Sequence, residues 1–162
     1  MGSDKLDDVD KGILYLIQQN ARTSTTAEIA EKLGVSSSTV GNRIQKLEER
    51  GVISGYHLTV DYEKVGLDQH LLAIGTVPYE RRETLSEQIL EASGVVSVRE
   101  LLTNKQNVAI ELVGYSRKYI ESAIDELNDI GVAIERIEMM KRERTQPFDD
   151  FGKQYTNEED TG

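Results

Sequence analysis

Residues Thr25–Arg50, TTAEIAEKLGVSSSTVGNRIQKLEER, predict two short helices joined by a tight turn. Gly34 is expected to end the first helix, because glycine adopts the turn conformation at low cost. Ser36 or Ser37 is expected to cap the second. The apolar edges of the two helices are Ile29, Ala30 and Leu33, and then Val40, Ile44 and Leu47. The small residue Ala30 is followed four residues later by Gly34 and ten residues later by Val40. This spacing favours a helix-turn-helix, whose second helix would enter the DNA major groove.

The other face of the second helix carries polar and basic side chains. Asparagine can pair with adenine through two hydrogen bonds and arginine with guanine, so Asn42 and Arg43 are expected to read bases. Serine and threonine can contact either base or phosphate, and Lys46 and Arg22 are expected to contact phosphate. The alternative for each is a solvated helix face. The candidate DNA-binding residues are Arg22, Ser36, Ser37, Ser38, Thr39, Asn42, Arg43 and Lys46.

The segments on either side complete a small domain. Leu6–Asn20 predicts a preceding helix capped by Asp7, with acidic residues in its first turn, where the helix dipole favours negative charge. Gly51 is expected to end the third helix. Apolar residues then alternate from Val52 to Val60, which predicts a strand. Three helices and a strand predict a winged helix-turn-helix DNA-binding domain over residues 1–60.

Residues 68–141 follow a hinge at residues 61–67 and show strand and helix patterns in the order βαββαβ. This order predicts a ferredoxin-like domain. The expected fold class is therefore α+β, with an N-terminal winged helix-turn-helix domain and a C-terminal ferredoxin-like domain. The predicted elements are strand Gln69–Pro78, helix Tyr79–Ser93, strands Val95–Thr103 and Asn107–Val113, helix Arg117–Ile130 and strand Val132–Met140.

The predicted sheet has two helices on one face, and its second face needs another partner. The strand Leu71–Val77 carries apolar side chains on both faces, so the second face should also be buried. The same sheet of a second copy, related by a two-fold axis, is the simplest partner, and a homodimer is expected. Its two reading helices would fit a pseudo-palindromic DNA site.

Residues 142–162 read as an acidic C-terminal tail. Phe148, Phe151 and Tyr155 fall at spacings of three and four, and Pro147 can start a short helix. We therefore expect these aromatic side chains to dock on the same subunit or on its partner. The alternative is a disordered tail, and Gly152 counts against a helix.

Spaced motifs recur through the first 66 residues. They are Leu6-Asp7-x-x-Asp10-x-x-Ile13-Leu14, Asn20-Ala21-Arg22, Glu28-Ile29-Ala30, Gly34-Val35-Ser36 and Arg43-Ile44-x-x-Leu47-Glu48-x-x-Gly51-Val52-Ile53. In this order they resemble the Lrp/AsnC family of prokaryotic feast/famine transcription regulators. The resemblance implies a DNA-binding domain, a hinge strand and a C-terminal domain that dimerises and often senses an amino acid. Dimers of this family often assemble into octamers.

The resemblance weakens at the turn between the second and third strands of the C-terminal domain. Members of the family usually have Thr-Gly-x-x-Asp there, and its Gly and Asp help to form an amino-acid pocket between subunits. This turn reads Thr103-Asn104-Lys105-Gln106-Asn107. Asparagine tolerates the left-handed conformation, so Asn104 is expected to replace the glycine. The candidate effector-binding residues are Thr103, Asn104 and Asn107, for an anion, a polar amide or no ligand, because the carboxylate is absent.

The composition argues against several other classes of protein. There is no cysteine, which excludes disulfides and thiolate metal sites, and His57 and His70 are the only histidines. Phosphate-binding loops and nucleophile motifs are missing, so we expect no catalytic residue, no metal, no cofactor and no enzyme activity. The longest apolar run, Leu71–Ile74, is too short to cross a bilayer, and the N-terminus MGSDKLDD lacks the features of a signal peptide. A cytoplasmic protein is expected.

The charge is unusual for a DNA-binding protein. The net charge is −10; residues 1–66 carry 8 basic and 10 acidic side chains, and residues 67–162 carry 11 and 19. The acidity thus lies mostly outside the predicted reading domain. An acidic excess with few lysines favours a halophilic archaeon as the source, because high salt screens the self-repulsion. The alternative is an ordinary acidic regulator.

These observations predict a sequence-specific DNA-binding transcription regulator of the Lrp/AsnC type. The resemblance implies that a small molecule such as an amino acid, bound between C-terminal domains, modulates it. Two alternatives stay open. One is an architectural DNA-binding protein with little sequence specificity. The other is a metabolite-sensing interaction module without DNA binding, which the acidic charge favours.

Overall fold

The structure is a computed structural model that describes residues 5–152. These residues form two units, one made of residues 5–58 together with 144–152, and the other of residues 59–143. The first unit is helical, and the second contains a four-stranded sheet and two helices. Across the described part of the chain, no helix has the length and apolar character needed to cross a membrane.

Three helices form the first unit: α1 (Asp8–Gln19), α2 (Thr26–Leu33) and α3 (Ser37–Glu49). Each begins at a side-chain cap, because the first N–H groups of a helix have no intrahelical partner. Asp7 and Thr25 both take part in capping boxes, and Ser36 caps α3. Gly34 ends α2 in the left-handed conformation at φ 66°. The predicted helices and caps are confirmed, with Ser36 rather than Ser37 at the start of α3.

The core of the first unit lies where these helices cross. Its most buried side chains include Ile13, Leu16, Ile29, Val40 and Leu47, each at most 2% exposed. α1 approaches α2 closely at Gly12, where a β-carbon would stand 2.5 Å from Leu33 Cδ2. The glycine in the middle of α1 therefore permits this contact, which offsets its low helix propensity.

The segment from Val52 to Val60 differs from the prediction, because it forms no strand. Alternating apolar residues mark two sides of an extended chain, but a strand also needs a partner for its backbone hydrogen bonds. No partner strand lies beside this segment within residues 5–152. Tyr56 is half exposed, and its hydroxyl donates a hydrogen bond to Glu48 Oε1 at 2.8 Å. The side chain of Leu58 is 87% exposed.

Residues 144–152 belong to the first unit. A single 3₁₀ turn, Asp149–Phe151, contacts α1. Phe151 packs against the helical core, and the ring of Phe148 meets it edge-on at 5.1 Å between centroids. Gly152 lies so close to Tyr15 that an added β-carbon would stand 2.6 Å from Tyr15 Cβ. Tyr155, the third aromatic residue of the predicted set, lies outside the described residues.

The second unit has the predicted order βαββαβ, which is confirmed. Its antiparallel sheet has the strand order β2-β3-β1-β4, so β2 and β4 are the edges. α4 is shorter than predicted because residues Tyr79–Arg81 form a 3₁₀ turn before it. The elements are β1 (Gln69–Thr76), α4 (Arg82–Glu91), β2 (Val95–Glu100), β3 (Val108–Gly114), α5 (Arg117–Asp129) and β4 (Ala133–Met139).

The two faces of the sheet differ in chemistry. α4 and α5 pack on the face that includes Leu71 and Ile110. The opposite face carries Glu111, which is 6% exposed; its carboxylate contacts His70 Nε2 at 2.6 Å and accepts a hydrogen bond from Ser97 Oγ at 2.9 Å. The second face is therefore partly polar. Every residue of β3 is buried within this chain. Pairing of this face with a second copy remains a prediction.

Candidate nucleic-acid interface

The exposed face of α3 carries side chains that are free to bind a ligand. Ser37, Asn42 and Lys46 are exposed, and none forms a hydrogen bond or ion pair through its side chain within residues 5–152. Asn42 and Lys46 lie on the side of α3 away from its buried residues Val40 and Leu47, and Ser37 is the first residue of the helix. α3 therefore presents an amide, a hydroxyl and an ammonium group to solvent.

A network of hydroxyl groups fixes the start of α3. Ser36 Oγ accepts a hydrogen bond from the Thr39 N–H at 3.1 Å. The same oxygen lies 2.8 Å from Thr39 Oγ1 and 3.1 Å from Ser38 Oγ. The hydroxyls of Ser36 and Thr39 thus serve the cap rather than a ligand. The helix N-terminus at this point carries the positive end of the helix dipole, which attracts a phosphate.

Arg43 does not lie free on this face, in contrast to the prediction. Its Nη1 donates hydrogen bonds to Asp7 Oδ2 at 2.6 Å and to Asp10 Oδ1 at 3.2 Å. The Asp10 residue is 6% exposed, and the Arg43 side chain is 35% exposed. The two carboxylates also form the capping box that starts α1. We call this cluster of Asp7, Asp10 and Arg43 the α1–α3 clasp.

The clasp shifts the pKa values of Asp7 and Arg43. The pKa of Asp7 is below its usual value, because its carboxylate accepts the Asp10 N–H and then because Arg43 lies beside it. The pKa of Arg43 is raised, first by its hydrogen bond to Asp7. Both shifts favour the charged pair. The clasp therefore joins the start of the first helix to the middle of α3.

Arg22 lies in the connector between α1 and α2. Asn20 Oδ1 accepts hydrogen bonds from the N–H groups of Arg22 at 3.1 Å and of Thr23 at 3.3 Å, which fixes the connector. The side chain of Arg22 is exposed. Its position in the same unit as α3 suits a contact with phosphate.

The candidate effector turn is closed by its own side chains. Asn107 is 1% exposed; its Oδ1 accepts the Val77 N–H at 2.8 Å and its Nδ2 donates to the Val77 carbonyl at 2.9 Å. The Thr103 hydroxyl donates to the Lys105 carbonyl at 2.8 Å. Both polar groups of Asn107 are therefore occupied. Asn104 is exposed, with no side-chain hydrogen bond within residues 5–152.

The left-handed residue of this turn is Gln106, at φ 51°, and not Asn104 as predicted. The Gln106 N–H donates to Thr76 Oγ1 at 2.7 Å, and its side chain donates to Glu135 Oε2 at 3.2 Å. The Thr76 hydroxyl also donates to Glu135, and this bond is the largest cause that lowers the pKa of Glu135. The hydrogen bonds that Gln106 donates to Thr76 on β1 and to Glu135 on β4 thus hold it in a conformation that most residues avoid.

Three comparisons with known proteins bear on this interface. A family model described as a winged helix-turn-helix DNA-binding domain matches residues 6–54. The HTH-type transcriptional regulator LrpA of Pyrococcus horikoshii is 37% identical over 112 residues, which cover 69% of this chain and 77% of LrpA. The regulator LysM of Saccharolobus solfataricus is 30% identical over 130 residues, which cover 80% of this chain and 89% of LysM.

The chain belongs to the Lrp/AsnC family. Solved structures of similar proteins share its fold. LrpC of Bacillus subtilis superposes with a TM-score of 0.70 at 23% identity, over 87% of this chain and 98% of LrpC. A transcriptional regulator of Neisseria meningitidis, solved as a complex with L-Met, gives a TM-score of 0.69 at 18% identity, over 88% of this chain and 95% of that one.

Membership of the Lrp/AsnC family confirms the predicted fold class, and the named relatives are transcriptional regulators rather than enzymes. Some similarities are partial. An uncharacterised regulator of Pyrococcus abyssi is 46% identical over 63 residues, 39% of this chain, and the chain spans 42% of its length. The chain also spans 43% of the length of a transcriptional regulator of Pyrococcus furiosus.

Two clusters of this Lrp/AsnC chain are not predicted by its sequence. One is the α1–α3 clasp, although Asp7, Asp10 and Arg43 all lie in the spaced motifs of the first 66 residues. The other surrounds the buried Glu111, for which a lone glutamate in an apolar strand is the only signal. No group of three or more His, Asp or Glu residues suited to a metal ion occurs among residues 5–152.

Proposed function

We propose that this protein binds double-stranded DNA sequence-specifically, with α3 in the major groove, and thereby regulates transcription. The observation that carries the proposal is the exposed surface of α3, including its first residue. There Ser37, Asn42 and Lys46 have no side-chain partners within residues 5–152, while Ser36 and the α1–α3 clasp fix the helix itself. A fixed helix with free polar groups suits direct reading of base edges.

The proposed contacts divide by chemistry. Asn42 would read adenine through its amide, and Ser37 and Ser38 would contact bases or phosphate. Lys46 and Arg22 would neutralise phosphates on either side. Arg43 would act through the clasp and not on a base, because its Nη1 already donates to two carboxylates of α1 and its N-cap.

A homodimer would supply two copies of α3. Half-sites one helical turn apart have centres separated by about 34–36 Å, so a two-fold axis predicts a pseudo-palindromic operator. The family resemblance supports such a dimer and its further assembly into an octamer. Sedimentation of the full chain with and without operator DNA tests this assembly.

The effector proposal is narrower than the one drawn from sequence. The L-Met complex of the Neisseria meningitidis regulator supports a small-molecule effector in this protein. At the turn, Thr103 and Asn104 remain candidates, while Asn107 would hold the turn from within. Calorimetry of the full chain against the amino acids and common anions tests the proposal. A heat of binding that disappears in Asn104→Ala would support the effector proposal. The absence of a heat of binding with every ligand would contradict it.

A binding titration tests the DNA proposal. The full chain is titrated into its own promoter DNA and into random DNA at the same salt concentration. Preference for the promoter, lost in Asn42→Ala but kept in Lys46→Ala, supports the proposal. Equal affinity for both DNAs would indicate an architectural protein. No binding at any salt concentration would indicate an interaction module without DNA binding.

A further inference from the structure

A groove in the second unit lies away from the candidate effector turn. It runs between α5 and the edge strand β4, on the helix-covered side of the sheet, and has a volume of about 480 Å³. This volume is within the range of pockets that hold small molecules, about 300–1,000 Å³. The groove lies wholly within residues 59–143.

The floor and one wall of the groove are apolar. Leu71 and Ile120 form part of the floor, and each is 6% exposed. Ile137 and Met139 line the wall on β4, where the register with β1 directs them toward the helices. Ile137 is nevertheless 45% exposed and Met139 is 66% exposed. α5 therefore leaves apolar surface of β4 uncovered inside a concave site.

The rim of the groove is charged and comes from one face of α5. Arg117 Nε donates to Glu121 Oε1 at 2.9 Å, so these two charges offset each other. Asp125 follows one helical turn later and forms no ion pair within the described residues. The rim thus carries one net negative charge beside an apolar floor.

We propose that this groove binds a small amphipathic amine, with its ammonium group at Asp125 and its aliphatic body on Ile137 and Met139. The negative rim favours a cation, and the apolar lining favours a hydrocarbon body. The flexible thioether of Met139 adapts to bodies of different shape. A second copy fits less well, since a stable interface buries about 800 Å² on each partner and is not confined to one narrow groove.

Calorimetry of the full chain tests the proposal with three matched probes: isopentylamine, isopentanol and isovalerate. The amine is expected to bind about threefold to fivefold more tightly than the alcohol, as for an exposed charge pair. The acid is expected to bind most weakly. Asp125→Asn should remove the preference for the amine. Asp129→Asn, one turn further along α5 and outside the groove, should keep it and serves as the matched control.

A second variant and a spectroscopic signal test the apolar wall. Ile137→Ser should weaken the binding of both the amine and the alcohol about tenfold, because it removes buried hydrocarbon contact. The methyl resonance of Met139 should shift when isopentylamine is added to the unaltered protein, and that of Met140 should shift less.

Three kinds of result would overturn the proposal. One is the absence of both heat and a Met139 shift with the amine. Another is equal affinity for amine and alcohol, or equal effects of the substitutions at Asp125 and Asp129. The third is a fall in oligomeric mass on Ile137→Ser without ligand binding, which would place a second copy in the groove. None of these results depends on whether α3 binds DNA.

Discussion

Replacing Arg43 by alanine separates its two possible roles most sharply. The substitution removes the hydrogen bonds from Nη1 to Asp7 at 2.6 Å and to Asp10 at 3.2 Å. Asp10 is 6% exposed, so its carboxylate would lose a charged donor while staying buried. We therefore expect Arg43→Ala to loosen α3 against α1 and to destabilise the first unit.

The size of the effect follows from burial. A hydrogen bond to a charged group contributes about 1.5–3 kcal/mol. For the bond to Asp10 we use the lower half of this range, because the Arg43 side chain is 35% exposed. The contact with Asp7 is more exposed and adds about 0.5 kcal/mol. The free energy of unfolding should therefore fall by about 2 kcal/mol in Arg43→Ala.

Urea denaturation measures this loss, and DNA titration completes the assay. Lys46→Ala is the matched control, since its exposed side chain forms no ion pair within the described residues, and its stability should stay within about 0.5 kcal/mol. Arg43→Ala should weaken the binding of promoter DNA and of random DNA by the same factor. Unchanged stability with a loss confined to promoter DNA would refute the clasp and make Arg43 a base reader.

The pH dependence gives the clasp a second signature. The pKa of Asp7 is depressed in the folded state by the Asp10 N–H and by Arg43. A depressed carboxyl pKa stabilises the fold above the unfolded pKa, about 3.9 for aspartate, and this stabilisation is lost as pH falls through the folded pKa. The stability difference between the unaltered protein and Arg43→Ala should therefore shrink below about pH 4.

Three further predictions concern the turn, the phosphate contacts and a helix cap. Asn107→Asp should lower the free energy of unfolding in urea by about 2 kcal/mol, because a carboxylate cannot donate to the buried Val77 carbonyl; Asn104→Asp should change it little. Lys46→Ala should reduce the slope of log affinity against log salt by about 1 in titrations on random DNA, and an unchanged slope would remove it from the phosphate contacts. Thr25→Ala should destabilise α2 by about 1 kcal/mol in thermal melts, while Thr26→Ala, inside the first turn, should not; equal effects would contradict the capping role.

Local signals made the helices of the first unit predictable. A cap and the spacing of apolar residues fix where a helix begins and which side it buries, and both can be read within about ten residues of sequence. Asp7, Gly34 and Ser36 therefore stand where the sequence placed them. The order of the strands and helices in the second unit followed from the same kind of signal.

Features that depend on distant partners could not be predicted. Arg43 shares its polar character with Asn42, and only the fold brings its guanidinium to carboxylates 33 and 36 residues earlier in the chain. The alternation from Val52 to Val60 was interpreted as a strand, although a strand also depends on a partner. Asn107 was assigned to a ligand because its backbone partner, Val77, lies 30 residues away.

The most direct test of the account is the preference of the full chain for promoter DNA over random DNA, measured before and after Asn42→Ala. Losing a two-bond contact to adenine should reduce that preference by about 1–3 kcal/mol while leaving the affinity for random DNA almost unchanged. An equal loss on both DNAs, or no preference in the unaltered protein, would contradict the claim that the exposed face of α3 reads sequence.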